Sequence, residues 1–284
     1  MKIAVTGAAG LLGKGLAQVF RSRNEVFPLT RQDGDITDAK RMRELLTGIT
    51  PDVIVHPAGI PDIDECERNP ELAFRVNTEA TKGLIEIARD LGARFVFVST
   101  DAVFDGKANH PYIETDPVNP ISVYGGTKVA AEEAVRRYTR HCIFRVSVLF
   151  GPGKANFVNK GLCKAWGKEP YAVASDQLGS ATYTLDAAEA MLRVFDATAN
   201  GTFHLCNLGE CTRYELARRA VELAGLDPSI VVGKPMAEMK RPGPRLTYAV
   251  MEMRAMKQAG IELPRHWEAA LEDYVKSLRP PADS

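Results

Sequence analysis

Short apolar runs alternate with helical patterns through the first half of the chain. "KIAVT" (2–6), "EVFPL" (25–29), "DVIVH" (52–56), "RFVFVS" (94–99) and "CIFRVS" (142–147) are continuous enough to be strands buried on both faces. The intervening segments 11–22, 38–48, 70–91 and 125–140 carry helical periodicity. Strands alternating with helices predict βαβ units, and so a doubly wound parallel sheet of α/β class with helices on both faces. Ligands of such sheets bind beyond the carboxyl ends of the strands, so residues just after each strand are the candidates for chemistry. Beyond Gly151, Pro152 and Gly153 the pattern loosens. Short strands are expected near 170–174, 201–206 and 230–232, and helices at about 184–197, 212–224 and 265–278. The predicted division is a main domain over 1–150 and a smaller lobe over 151–284, interleaved with the end of the main sheet. The tail "RPPADS" (279–284) is expected to fray.

Composition narrows the function classes. Lys+Arg and Asp+Glu both number 36, so the net charge is zero, and with no long basic run a nucleic-acid partner is not expected. Cys66, Cys142, Cys163, Cys206 and Cys211 form no CxxC pair and do not cluster with the histidines. Neither a metal site nor a disulfide framework is expected. Near the N-terminus the apolar run is broken by Thr6, Gly7, Gly10, Gly13 and Lys14, and no segment reaches the length of a membrane span, so the expected location is the cytoplasm.

"TGAAGLLG" (6–13) follows the first strand and opens the first helix. Gly7, Gly10 and Gly13 suit a dinucleotide loop: one for the tight turn, one for close approach of the pyrophosphate, one for helix–strand packing. Leu11 and Leu12 bring the free N–H groups of the helix start. The sheet is therefore predicted to be of Rossmann type. After the second strand, Thr30 and Arg31 stand where an NAD site usually has an acid; a hydroxyl and a guanidinium suit a 2′-phosphate. NADPH is the expected cofactor, with NADH possible. Asp35 is placed to accept from the adenine amino group and Ile36 to pack on its ring.

"STD" (99–101) ends the fourth strand and aims Thr100 at the same crevice. "YGGTK" (124–128) sets Tyr124 and Lys128 on one helix face. An ammonium beside a phenol is expected to lower the phenol from its usual pKa of about 10. Tyr124 could then deliver a proton to a carbonyl oxygen held by Thr100, while Lys128 tunes it and binds the nicotinamide ribose. The spacing alone is a weak signal; its place about 24 residues beyond Thr100 in a dinucleotide fold makes it informative. Of its two glycines, Gly125 is expected to let the helix start lie close to cofactor or substrate, and Gly126 is expected to tolerate alanine.

Together these motifs resemble the extended short-chain dehydrogenase/reductase family, and within it the dTDP-4-dehydrorhamnose reductase branch. The resemblance runs along nearly the whole chain: "DIDECERNPELAFRVN" (62–77), "STDAVFDG" (99–106), "PYIETDPVNPISVYGGTK" (111–128), "FRVSVLFGPGKANFV" (144–158), "SDQLGSATYTLDAA" (175–188), "GTFHLCN" (201–207) and "RPGPRLTYAVMEM" (241–253). It implies NAD(P)-dependent reduction of a 4-keto sugar nucleotide. It further implies that Ala58 and Gly59 line the cofactor and that Ser147 lies near the nicotinamide. Asp101, Asn156 and Arg241 are then on the substrate side, with Arg241 suited to a diphosphate.

The chain departs from the resemblance at four places. Ala102 and Val148 stand where the family has Tyr and Trp, which widens the substrate side and removes stacking surface. Ala181 replaces a usual proline, and Gly15 stands where some members carry an acid for a metal-bridged dimer; a homodimer without the metal remains open. Ala102 also leaves a dehydratase without its second carboxylate. Three alternatives stay open: an epimerase, which shares the Tyr–Lys pair; a reductase for a non-nucleotide carbonyl; and a non-catalytic subunit resembling the regulatory β subunit of methionine adenosyltransferase.

Overall fold

The computed structural model describes residues 1–279; from residue 280 on, the expected fraying of the tail lies outside the described residues. The first half runs β1 (Lys2–Val5), α1 (Leu11–Phe20), β2 (Glu25–Pro28), α2 (Ala39–Ile49), β3 (Val53–His56), α3 (Ile63–Arg68), α4 (Pro70–Phe74), a π-helical turn (Arg75–Glu79) and α5 (Ala80–Leu91). It continues through β4 (Arg94–Thr100), a 3₁₀ turn (Asp101–Val103), α6 (Val123–Arg136) and β5 (His141–Val146). The second half has β6 (Leu149–Phe150), α7 (Phe157–Trp166), β7 (Tyr171–Ala174), β8 (Leu178–Gly179), β9 (Thr182–Tyr183), α8 (Thr184–Asp196) and β10 (Gly201–Leu205). It closes with β11 (Cys211–Thr212), α9 (Arg213–Leu223), β12 (Val231–Lys234), β13 (Tyr248–Ala249), α10 (Arg254–Gln258) and α11 (Trp267–Ser277).

Six strands form one sheet in the order β10-β5-β4-β3-β1-β2, every pair parallel. Strand periodicity sorts its side chains onto two cores. Val96 and Val98 of β4 join Ile3, Val5 and Phe144 beneath α1 and α8. Phe95 and Phe97 join Ala4, Ile54 and Ile143 beneath α2, α5 and α6. Burial on both faces is why β1, β3, β4 and β5 read as continuous apolar runs; β2, expected to be buried as well, is the edge strand and is exposed or half-buried throughout. The order reverses between β1 and β3, and that switch point opens the ligand crevice.

The second half of the chain divides. β10 extends the main sheet beside β5, and α8 packs on α1 so closely that a Cβ on Gly15 would lie 3.0 Å from Thr184. The remainder builds a separate core from α7, α9 and α11 with the parallel pair β7–β12, centred on Phe150, Leu162, Leu216, Leu271 and Tyr274. No helix among the described residues is long and apolar enough to cross a membrane.

The helical segment expected over 70–91 is present as one unbroken run of α4, the π turn and α5, and it is preceded by the unpredicted α3. Pro70 starts α4 because its missing N–H costs nothing in a first turn. The π turn buries Asn77 and Thr78, which its looser winding brings to the inner face.

Candidate active site

Gly7 has φ +58°, the left-handed conformation, and a Cβ there would lie 2.9 Å from Ala58 Cα. The loops after β1 and β3 therefore meet through a backbone only glycine allows. A Cβ on Gly13 would lie 2.2 Å from Gly7 O, so Gly13 is what lets α1 start against the loop. Ala8 N donates to Leu29 O and Gly10 N to Gly7 O, fixing the loop. No side chain caps α1 at Gly10 and no acid lies in its first turn, whereas α3 has Asp62 as cap and Asp64 and Glu65 behind it. The N–H groups of Leu11 and Leu12 are thus left for an anion, and the positive helix end is not neutralised. This cradle fits a dinucleotide pyrophosphate.

Beyond β2 the structure changes two expectations. Thr30 gives both its N–H and its hydroxyl to Asp33 Oδ2, each at 2.8 Å, so its hydroxyl is engaged in a local turn rather than free for a phosphate. Asp35 Oδ1 accepts from Thr37 N and Oγ1, and Oδ2 from Arg31 Nη2 at 3.2 Å, so its carboxylate is taken up locally rather than aimed at adenine. The Thr37 bonds and Arg31 hold it below the usual carboxylate range. Both cases follow from the readiness of Asp to satisfy nearby backbone N–H groups. The Arg31 side chain is 90% exposed and is the cation open to a 2′-phosphate here. Ile36 packs on the core beneath α2 and α5.

Asn77, which the sequence reading missed, holds the loop after β3. Ile60 N donates to its Oδ1 at 2.7 Å, and its Nδ2 donates to Ile60 O and Thr127 Oγ1, both at 3.1 Å. A Cβ on Gly59 would lie 2.7 Å from Asn77 Oδ1. One amide so couples the Ala58–Gly59 loop to α6. His56 is fully buried between Thr6 Oγ1 (2.7 Å) and Thr81 Oγ1 (3.1 Å); burial, helped by the Lys128 charge, pushes it down to about 3, so it stays neutral.

The start of α6 is set by Ser122 Oγ, which accepts from Gly125 N, and by Glu67 Oε1, which accepts from Val123 N at 2.8 Å. A Cβ on Gly125 would lie 2.2 Å from Ala102 O and 2.8 Å from Pro120 Cβ. Gly125 therefore lets the helix abut the turn that follows Thr100. Nothing lies within 4 Å of a Cβ on Gly126.

Thr100 Oγ1 donates to Asp101 Oδ1 at 2.9 Å and accepts from Ala102 N. Burial pushes the Tyr124 phenol above its ordinary value, opposed by the Thr100 hydroxyl. Lys128 is 5% exposed, its Nζ 4.0 Å from the centre of the Phe97 ring. Burial lowers it to about 7, against the pull of Glu132. The expected depression of the phenol by Lys128 is therefore not seen: desolvation governs both groups, raising the one and lowering the other. Glu132, one turn on, is fully buried and grips Arg145 at 3.0 and 2.8 Å through two parallel bonds, with Arg136 at 2.6 Å. Nothing in the sequence flagged this pair.

A cavity of about 470 Å³ opens at the turn that follows Thr100, with Asp101, Ala102, Val148, Asn156, Arg213 and Arg241 on its wall; Thr100, Tyr124 and Lys128 do not line it. Ala102 and Val148 line this cavity, as does Arg241, which is exposed. Two other expected residues are engaged elsewhere. Asn156 caps α7: its Oδ1 accepts from Val158 N and Asn159 N, and its Nδ2 donates to Gly151 O and Tyr274 Oη. Its amide shapes the wall and has no free donor to offer a sugar. Ser147 Oγ donates to Asp101 Oδ2, which ties it to the turn that follows Thr100. Arg213, the first residue of α9, was not anticipated. No group of three or more His, Cys, Asp or Glu that could hold a metal ion is found among the described residues.

Residues 1–279 match the family model described as RmlD substrate binding domain. The chain is 38% identical to the spore coat polysaccharide biosynthesis protein SpsK of Bacillus subtilis over 97% of each chain. It is 36% identical to a dTDP-4-dehydrorhamnose reductase of Streptomyces griseus, covering 96% of this chain and 93% of the relative. Among solved structures, a dTDP-4-dehydrorhamnose reductase from Bacillus anthracis in complex with NADP superposes with a TM-score of 0.94 at 27% identity, over 98% of this chain and 99% of that one. The Clostridium acetobutylicum dTDP-4-dehydrorhamnose reductase gives a TM-score of 0.93 at 33% identity, over 97% and 99%.

Proposed function

We propose, because the chain belongs to the RmlD substrate binding domain family, that it is an NADPH-dependent oxidoreductase reducing a keto group on a nucleotide-linked sugar. The observation that carries the reading is the glycine cradle after β1 together with Thr100, whose hydroxyl reaches the half-buried Tyr124 phenol beside a cavity walled by Asp101 and Ala102, with the buried Lys128 one turn further along α6. The dinucleotide would be held by the loop from Gly7 to Gly13, the N–H groups of Leu11 and Leu12, the Ala58–Gly59 loop and, at its 2′-phosphate, Arg31. When bound, NADPH supplies the hydride.

The chain's own residues supply the proton and the geometry. A phenol raised by burial stays protonated at neutral pH, which suits Tyr124 to give its proton to a carbonyl oxygen. Thr100 turns its hydroxyl from Asp101 to that oxygen. Lys128, one helical turn from Tyr124 and lowered by burial to about 7, would bind the nicotinamide ribose and, when protonated, favour the phenolate left after proton transfer. The lobe of α7, α9 and α11 closes the sugar-nucleotide side. The reading places the enzyme in the cytoplasm.

The test is NADPH oxidation by the purified chain with a panel of 4-keto sugar nucleotides. Turnover with at least one is expected, and Tyr124→Phe should lower kcat by about 100- to 10,000-fold while NADPH affinity is retained. No turnover with any member refutes the substrate class. Undiminished activity in Tyr124→Phe refutes the assigned acid.

A further inference from the structure

The cavity has four basic residues on its wall, and they differ in what already holds them. Arg245 is committed: it pairs with Asp64 at 3.1 Å and donates to Gly243 O. Lys160 and Arg241 are exposed at the rim. Arg213 is half-buried, and its guanidinium carbon lies 5.7 Å from the Phe157 ring centre. Its one side-chain hydrogen bond runs from Nε to Gln177 Oε1 at 3.5 Å, the limit of such contacts. Among the described residues it has no ion pair within 4 Å. Of its five N–H donors, four are without a protein partner.

A guanidinium taken out of bulk water with so little to bond is costly unless an acceptor completes it. Burial lowers Arg213 and the Asp101 charge acts against that, but Asp101 does not complete it: its two oxygens already accept from Thr100 and Ser147. Arg213 feels two charges on its cavity side, Asp101 next to the reacting hydroxyl and Arg241 at the rim. Arg213 lines the same cavity as Asp101, which follows Thr100 in the chain, and as the exposed Arg241. A planar fork with free parallel donors matches a phosphoryl group.

We propose that Arg213 is a specificity-determining residue that binds the sugar-attached phosphate of the substrate's diphosphate, leaving the nucleoside-side phosphate to Arg241. The inference rests on the sugar-nucleotide reading above and adds to it which side chain counts the second phosphate. Arg213 so selects diphosphate-linked sugars over monophosphates, and fixes how far the sugar ring reaches toward Thr100.

Calorimetric titration with dTDP, dTMP, UDP and NADPH tests this on the full chain at one fixed ionic strength. In Arg213→Gln, dTDP affinity should fall roughly tenfold to 100-fold, the range for a charge-assisted hydrogen bond, with dTMP changed less than about twofold and NADPH unchanged. Equal dTDP affinity in parent and variant overturns the proposal. Equal weakening of dTDP and dTMP overturns the assignment to the sugar-side phosphate. If Arg213→Gln does not fold, Arg213→Met keeps the packing on Phe157 and is judged by the same comparison. Failure of the parent chain to bind either dTDP or UDP overturns the sugar-nucleotide reading itself, and is distinct from the variant-specific results.

Discussion

The two glycines of "YGGTK" should respond oppositely to the same added methyl group. At Gly125 a Cβ would lie 2.2 Å from Ala102 O and 2.8 Å from Pro120 Cβ, where ordinary contacts begin at 3.4 Å. Ala102 O is backbone, anchored through Ala102 N to Thr100, so no side-chain rotation relieves the clash. The start of α6 and the turn after β4 must part by about 1 Å, and a misplacement of that size costs about 100-fold in rate. Tyr124 rides on one of these elements and Thr100 on the other. Overpacking should add about 1–3 kcal/mol of destabilisation. At Gly126 nothing lies within 4 Å and φ is not positive, so alanine only removes freedom from the unfolded chain. That stabilises by about 0.4–1 kcal/mol, or a Tm rise of about 1–4 °C in a chain of this size. Scanning calorimetry and steady-state NADPH oxidation on both variants provide the assay. A Gly125→Ala protein with parental kcat and Tm would refute the contact argument. A Gly126→Ala protein that loses stability would show that this face of α6 is not open.

The remaining predictions concern groups the structure buries. Glu132→Gln should destabilise by about 3–5 kcal/mol in urea at pH 7 by stranding the buried Arg145 charge; retained stability would mean that the pair is not essential. Burial acts to raise Glu132 but is outweighed by Arg145, which holds the carboxyl below its usual value. Its stabilising contribution is therefore present above the unfolded carboxylate pKa of about 4.3 and is lost as pH falls through the lower folded value, an acid-side loss the Gln variant should not show. Lys128 runs the other way: between about 7 and its ordinary 10.5 the unfolded chain binds a proton that the folded chain does not, so stability should rise with pH across that window. Lys128→Met should flatten this rise in pH-dependent denaturation, and an unchanged slope would contradict it. Asn156→Ala should cost about 0.5–2 kcal/mol as a lost helix cap, with any rise in KM accompanied by a lower Tm; lost substrate binding at parental Tm would instead make the amide a ligand.

What could be read from the sequence and what could not differ in the range of the contacts involved. Gly7, Gly10 and Gly13 were legible because a turn and a helix start are set by neighbours within a few residues. Tyr124 and Lys128 were legible because helix geometry alone puts them on one face. The strands were legible because burial on both faces leaves a continuous apolar run. Asn77, Glu132 and Arg213 carried no such mark. An Asn within a helical pattern reads as a weak helix position until the loop it bonds, 17 residues away, is folded against it. Arg145 reads as a break in a strand until α6 brings Glu132 beside it. Three short polar residues expected at the ligands share another feature. Thr30, Asp35 and Asn156 were assigned to ligands by their place after a strand or in a family-like stretch, yet each has N–H groups or carboxylates within a few residues that it can reach first. A short polar side chain beside unsatisfied backbone N–H groups is captured locally at little entropic cost. Arg31 and Arg213 escape that competition: Arg31 keeps an exposed fork beyond its contact with Asp35, and Arg213 lacks a nearby acid free to take it. In the proposed reading the long basic side chains, more than the short polar ones, are left to choose the ligand.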